Sequence, residues 1–339
     1  MTHRPSPRRS RGAALLAALL TVTLVATLAA AALWQQWRGV EVEAAERTRA
    51  QSAWILIGAL DWARLILAED GRSRRGTASN TDHLAEPWAL PLAEARLSTF
   101  LAAADGGMET HRDAFLSGQI TDLQGRLNLT RLLSAGDEGL QAYLRFERLF
   151  SLLGLPASEL RLLADNLKRA NAALALAGST ATPDATAQQN AAAAALMPQR
   201  LEQLAWLGVA PQTLAALRPY VVLLPRSTPV NLNTASAEVI FAAVPRLDMA
   251  RARQIVSERD RGAFTDPGQA LERVGLPADA AGDWCSVNSS FFEVRGRLRL
   301  DSTAVEEVSV VQRDLSQVRT LWRSRVALTL PDGGAVRDR

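Results

Sequence analysis

Hydrophobic and polar positions fall into three textures along the chain. Residues 13–33 carry no charge and are mostly apolar. As an α-helix that run measures about 31 Å, enough to cross a hydrocarbon core of roughly 30 Å. From Trp34 to Glu69 there is no proline, and glycine occurs only at Gly39 and Gly58. Apolar residues there recur at helical spacing, at Ala53, Leu56, Ile57, Leu60, Ala63, Ile66 and Leu67. That period predicts an amphipathic continuation of the first helix. The polar stretch Asp70 to Ala78 is expected to end it in a surface loop.

A second texture comes next. Asp82 to Trp88 and Leu90 to Leu92, with Pro87 and Pro91, read as extended loop. Phe115 to Leu129 alternates apolar and polar residues around Gln124-Gly125, which predicts a hairpin. Helical periodicity then takes over from Leu140 to Leu176, broken at Gly154 to Pro156. Ser179 to Gln189 has loop composition, and further helices are expected at Gln199 to Leu207 and Gln212 to Leu217. After Val230 to Ser236, Thr234 or Ser236 can cap a helix through Val239 to Val244; two more run over Met249 to Arg259 and Gln269 to Val274. The third texture is β. Phe291 to Leu300, Ala304 to Arg313 and Val318 to Leu330 read as three strands of a half-buried antiparallel sheet. Strand signals thus flank a long helical stretch, so the fold class is α+β: a long N-terminal transmembrane and stalk helix, an antiparallel sheet packed on the stalk, and a large inserted all-α domain. The division expected is 13–33 transmembrane, 34–70 stalk, 71–130 with 287–330 one α/β domain, and 131–286 inserted.

Charge refines the N-terminal reading. Arg4, Arg8, Arg9 and Arg11 precede the apolar run without an acid, which keeps the N-terminus cytoplasmic and sends the bulk of the chain across the membrane. An ordinary secretory signal peptide cut near Ala29 to Ala32 is the alternative, but the apolar run is longer than a usual signal core. Removing residues 1–12 takes away four arginines and turns the net charge from +3 to −1, so the pI near 9.7 does not describe the remainder and argues for no nucleic acid as a partner. Cys285 is the only cysteine, which excludes an intrachain disulfide, and reads as a small buried hydrophobe. His83 lies near Asp82 and Glu86, a weak metal signal that reads better as solvated loop; His111 is isolated. With no Ser-His-Asp set, metal-spaced cluster or phosphate loop legible, the sequence reads as a protein without enzymatic activity.

The basic leader ending at Gly12 directly before the long helix resembles the type IV prepilin signal. The resemblance implies cleavage by prepilin peptidase after Gly12 and N-methylation of Ala13. Most of that superfamily carries glutamate at the fifth mature position, and here it is Ala17. A buried carboxylate is costly in a bilayer and is kept for a partner, so a subunit lacking it is less suited to the middle of a filament. Asn231-Leu232-Asn233-Thr234-Ala235-Ser236, two short helices and Gly262-Ala263-Phe264 resemble helix-hairpin-helix DNA-binding modules. Here the connection Pro245-Arg246-Leu247-Asp248-Met249 lacks the glycines that admit a phosphate, which weakens the alternative of a membrane-anchored competence protein.

Taken in order, Arg11 to Leu16, Asp82 to Trp88, Ile120 to Asn128, Leu217 to Val221 with Leu224-Pro225, Val230 to Ser236 and Ser290 to Val294 resemble the K-class minor pseudopilins of type II secretion systems. The resemblance implies a pilin-like fold with an inserted helical domain, a single-pass place in the bacterial inner membrane with the globular part in the periplasm, and a position at the tip of the pseudopilus, nucleating or capping its assembly. The partners implied are the I- and J-class minor pseudopilins and the major pseudopilin. Calcium is implied too, but Asp165 to Asn171 lacks the acid density expected of its site, and no ligands are assigned.

Overall fold

The computed structural model describes residues 11–73, 80–97, 114–179, 184–300 and 303–329, and its chain falls into two units, 1–57 and 58–339. Helix α1 spans Arg11–Ser73. In the first unit its apolar stretch has a mean hydropathy of 2.3 over 18 residues, none of it buried. Leu15, Leu16, Leu20 and Val25 are each at least 64% exposed, so in water this surface would be costly. The three threonines within it return their hydroxyls to the helix: Thr21 to the Ala18 carbonyl, Thr23 to Leu20 and Thr27 to Leu24, at 2.9 to 3.0 Å. Such back-bonding leaves no side-chain donor needing water, as a helix in lipid requires. Beyond the apolar run, Glu43 pairs with Arg47 and Glu46 with Arg49, the solvent-facing pattern of an ordinary helix surface.

In the second unit, α1 continues to Ser73, one turn past the expected end at Asp70; residues 74–79 lie outside those described, as does His111. Beyond the helix lies a five-stranded antiparallel sheet, with β1 (Leu92–Arg96), β2 (Ala114–Asp122), β7 (Phe291–Leu300), β8 (Thr303–Asp314) and β9 (Gln317–Thr329) side by side in that order. The three C-terminal strands lie where the alternation placed them. Leu60, Ala63, Leu67 and Ala68, one face of α1, pack against Ile120, Phe292, Val294, Val311 and Val318 of the sheet and against Trp88. Arg64 closes that contact by donating two hydrogen bonds to the Val318 carbonyl, at 2.7 and 3.1 Å.

Two expectations change. Leu92, expected to close an extended loop, instead opens the edge strand β1, largely exposed and therefore silent in hydrophobic pattern. Phe115 to Leu129 is not a hairpin. The Asp122 carboxylate accepts from the Gln124 amide and starts a 3-10 turn, Leu123–Gly125, that carries the chain off the sheet. The next strand, β3 (Leu127–Asn128), pairs in parallel with β4 (Val221–Val222), while β2 pairs with β1 and β7. Glycine suits position 125, because a Cβ there would stand 3.0 Å from the Thr234 hydroxyl and 3.1 Å from its carbonyl oxygen. Alternation located β2 correctly, and residues distant in sequence direct the chain once it leaves that strand.

Between β2 and β7 lies the helical stretch. Helices α2 (Gly136–Leu152) and α3 (Ala157–Ala177) are separated where expected, with Gly154 at a φ of 67°, a conformation natural to glycine. Ala185–Ala193, of which the part up to Gln189 was expected as loop, is helix α4: Asp184 caps it through the Ala187 amide, and alanine and glutamine supply propensity although none of its residues is buried. Leu201–Leu207 is a 3-10 helix rather than an α-helix, and after it come α5 (Pro211–Leu217), β5 (Val230–Asn231), α6 (Ala237–Ala243), α7 (Met249–Arg261), α8 (Pro267–Glu272) and β6 (Cys285–Ser286). Phe146, Leu149, Leu163, Leu167, Leu204, Ile240, Ile255 and Phe264 share one core. The short α6 leaves its last carbonyls without helical partners, and arginines from α2 take them: Arg145 donates to Ala243 at 2.8 Å and Arg148 to Phe241 at 2.7 Å.

Leu67 is fully buried between helix and sheet, whereas Leu65 is 60% exposed. Leu67→Ala should lower unfolding free energy by about 2 to 5 kcal/mol and Leu65→Ala by less than about 0.5 kcal/mol, read from chemical denaturation midpoints.

Candidate functional site

Where the chain leaves the sheet after Asp122 and returns at Ser289, buried polar groups meet. Asp122 is 5% exposed, and its Oδ2 accepts hydrogen bonds from Thr234 Oγ1 at 2.6 Å, Ser289 Oγ at 2.6 Å and Asn231 Nδ2 at 3.0 Å. Asn231 also donates to the Asp82 carbonyl at 3.1 Å, and the Ser289 amide donates to Asp82 Oδ2 at 2.7 Å. Arg313 of β8 completes the knot. Its Nη2 reaches both Asp82 oxygens at 2.7 and 2.8 Å and the Ser289 carbonyl at 2.8 Å, and its Nη1 reaches Asp70 of α1 at 2.5 Å. The guanidinium also lies over the Phe292 ring, 4.7 Å from its centroid. Gln124 joins from the turn, accepting from the Ser290 amide at 2.7 Å and donating to the Pro229 carbonyl at 3.3 Å.

The Asp82 to Trp88 segment is accordingly not a solvated loop. Asp82 is fully buried and Trp88 is 1% exposed, with its ring edge-on to Phe292 and its indole N–H donating to Glu86. Carboxylate oxygens of Asp70, Asp82 and Glu86 lie within 4.8 Å of one another, which invites a metal. The set does not fit calcium, because Arg313 already supplies the cation to two of the three carboxylates and calcium takes six to eight oxygens. Asp165 to Asn171 lies within the regular helix α3, where Asn166 donates to the Leu207 carbonyl, and forms no loop for a cation.

The motif residues after Val230 are structural. Asn233 accepts from the Phe264 amide at 2.9 Å and donates to its carbonyl at 3.0 Å, stapling the Asn231 to Ser236 turn to Gly262-Ala263-Phe264. Ser236, rather than Thr234, caps α6; Thr234 is spent on Asp122. Between α6 and α7, the Asp248 carboxylate accepts from the Arg251 amide at the α7 N-terminus, the position a phosphate would need. Cys285 is buried, and desolvation pushes its thiol up to about 12, as befits an inert core residue. Ala13 and Ala17 stand one turn apart on α1, both exposed; Gly12 falls in its first turn, and residues 1–10 lie outside those described.

Two family models described as "Type II secretion system (T2SS), protein K" match residues 125–226 and 230–288. Over these two segments the chain is similar to that family. The K-family segments run from the turn after Asp122 to the strand before Ser289, the stretch whose two ends the polar knot ties together. A curated relative, "Type II secretion system protein K" of Pseudomonas aeruginosa, is 27% identical over 317 residues and covers 90% of each chain. Among solved structures, a chain in the crystal structure of the GspK-GspI-GspJ complex from the enterotoxigenic Escherichia coli type 2 secretion system matches with a TM-score of 0.60 at 18% identity, over 83% of this chain and 98% of that one. The α+β architecture is thus that of a known fold. Sequence reading missed Arg313 altogether; the signal available was a lone arginine closing a strand of valines, Val308 to Val311.

Burial raises the Asp122 carboxyl to about 6, and the neighbouring Asp82 charge adds to this against hydrogen bonds from Ser289, Thr234 and Gln124. Its unfolded value is about 3.9. Between those values the folded state binds more protons, so the Asp122 contribution to stability falls as pH rises from about 4 to 6 and is level above. The stability of the natural protein minus that of Asp122→Asn should decline over that window; a difference constant with pH would contradict the assignment. Arg313→Met, which strands the buried Asp82, should cost about 3 to 5 kcal/mol in the same denaturation assay, against less than about 1 kcal/mol for Arg295→Met at a half-exposed pair.

Proposed function

We propose that this protein occupies the tip of a periplasmic pseudopilus, where it nucleates or caps assembly for the export of folded proteins. The observation that carries the reading is the helical insertion between β2 and β7, whose bulk would obstruct a further subunit added beyond it. Ala17 supports the same position, since without a carboxylate there the helix has nothing to offer a neighbouring N-terminus within the filament. In this reading residues 1–12 are a leader removed by prepilin peptidase, and Ala13 becomes the methylated first residue. Residues 13–33 span the inner membrane once with the N-terminus cytoplasmic, 34–70 form the stalk, 71–130 with 287–330 the pilin-like domain, and 131–286 the insertion. The I- and J-class minor pseudopilins and the major pseudopilin are its partners, as the GspK-GspI-GspJ complex of the structural relative suggests. DNA binding gains no support, because Asp248 stands at the α7 N-terminus.

Deleting the gene should abolish or deregulate secretion of folded exoproteins; normal secretion in a strain without a paralogue would remove the tip role. N-terminal sequencing of the membrane form should return methylated Ala13, and a start after Ala30 would restore an ordinary secretory signal.

A further inference from the structure

The sheet face opposite α1 is only partly covered. Phe291 and Val310 pack there on Leu123, Val222 and Leu224, and beside this contact the sheet and the Gln199 to Gln203 turn part to leave an open cleft of about 600 Å³. Val308, Trp322 and Val326 form its apolar floor, and Val326 is 53% exposed. Its walls are charged and unbalanced. Arg218 is paired with Glu202 at 2.8 Å and Arg295 with both Glu293 at 3.1 Å and Glu306 at 3.2 Å, but Arg126 and Arg200 meet no carboxylate among the described residues, and Arg200 lies 4.5 Å over the Trp322 ring. The cleft opens beside β9, the outermost strand, 13 residues long, whose outer edge no described strand pairs. A long unpaired edge is a template for strand addition, and a strand added there would turn alternate side chains toward the cleft.

We propose that the cleft and the outer edge of β9 form a docking groove for an extended acidic segment of a partner polypeptide. The segment adds a sixth strand to the sheet, sets an apolar side chain against Trp322 and Val326, and places a carboxylate, two residues away, on Arg200. Backbone pairing supplies affinity, and the excess positive charge selects the sequence. The inference needs only the cleft and the edge of β9, so it is read on isolated protein whether or not a pseudopilus is assembled.

The test uses full-length protein in detergent and a fluorescein-labelled heptapeptide with glutamate, valine and glutamate at positions two, four and six and threonine elsewhere. Saturable binding is expected, weakened at least about tenfold by Arg200→Glu and by Val326→Asp, and changed less than about twofold by Arg161→Glu on the exposed face of α3. A peptide with lysine in place of glutamate should not bind. With the unaltered protein, the acidic peptide should add hydrogen-exchange protection to β9 amides, a readout independent of how the variants fold. No saturable binding, equal weakening by Arg161→Glu, or binding without new protection in β9 would overturn the proposal.

Discussion

The buried pair of Asp82 and Arg313, with Asp122 bonded beside it, is the constraint on which the rest of the second unit depends. Against an apolar pair of equal volume such an ion pair gains little, because desolvation consumes the Coulombic attraction. Its value is directional. Each donor and acceptor accepts a narrow range of partners, and here the partners come from the end of α1, the segment before Trp88, the end of β2, the Asn231 turn, the return at Ser289, and β8. Sheet and helical insertion have largely separate apolar cores, so packing alone would fix neither the exit nor the re-entry of the chain. The knot fixes both.

The range of each interaction decides how legible it was in the sequence. The long helix, the α2 and α3 pair with its break, and β7 to β9 rest on local period and on glycine or proline punctuation, which a sequence displays directly. The strand β1 escaped because its side chains are mostly exposed and its pairing is a backbone matter. The false hairpin arose because Gln124-Gly125 does make a turn, but the capping by Asp122 and the pressure of Thr234 on Gly125 depend on the folded chain. Helix α4 was misread because alanine-rich propensity was outweighed by the threonines and proline before it. At the candidate site, Asp82 and Asn231 lay within segments singled out for their order along the chain, while Arg313 offered only its place at the end of a strand.

The first unit answers to a different solvent. Its exposed leucines and valines, with threonines bonded back to their own helix, satisfy the rules of hydrocarbon rather than of water. In the second unit, one apolar face of α1 packs on the sheet, and buried polar bonds tie the helical stretch across that sheet. The buried Asp82 and Asp122 carboxylates and the Cys285 thiol are accounted for by structure.

If the knot makes sheet and insertion one cooperative body, the slowest amides of β7 and those of α2 and α6 should exchange through a common opening. Native-state hydrogen exchange across a denaturant series tests this directly. Both sets are predicted to converge on one unfolding free energy with one denaturant dependence. Helical amides that stay protected while the strands open in a separate, lower-energy step, or the reverse, would contradict it.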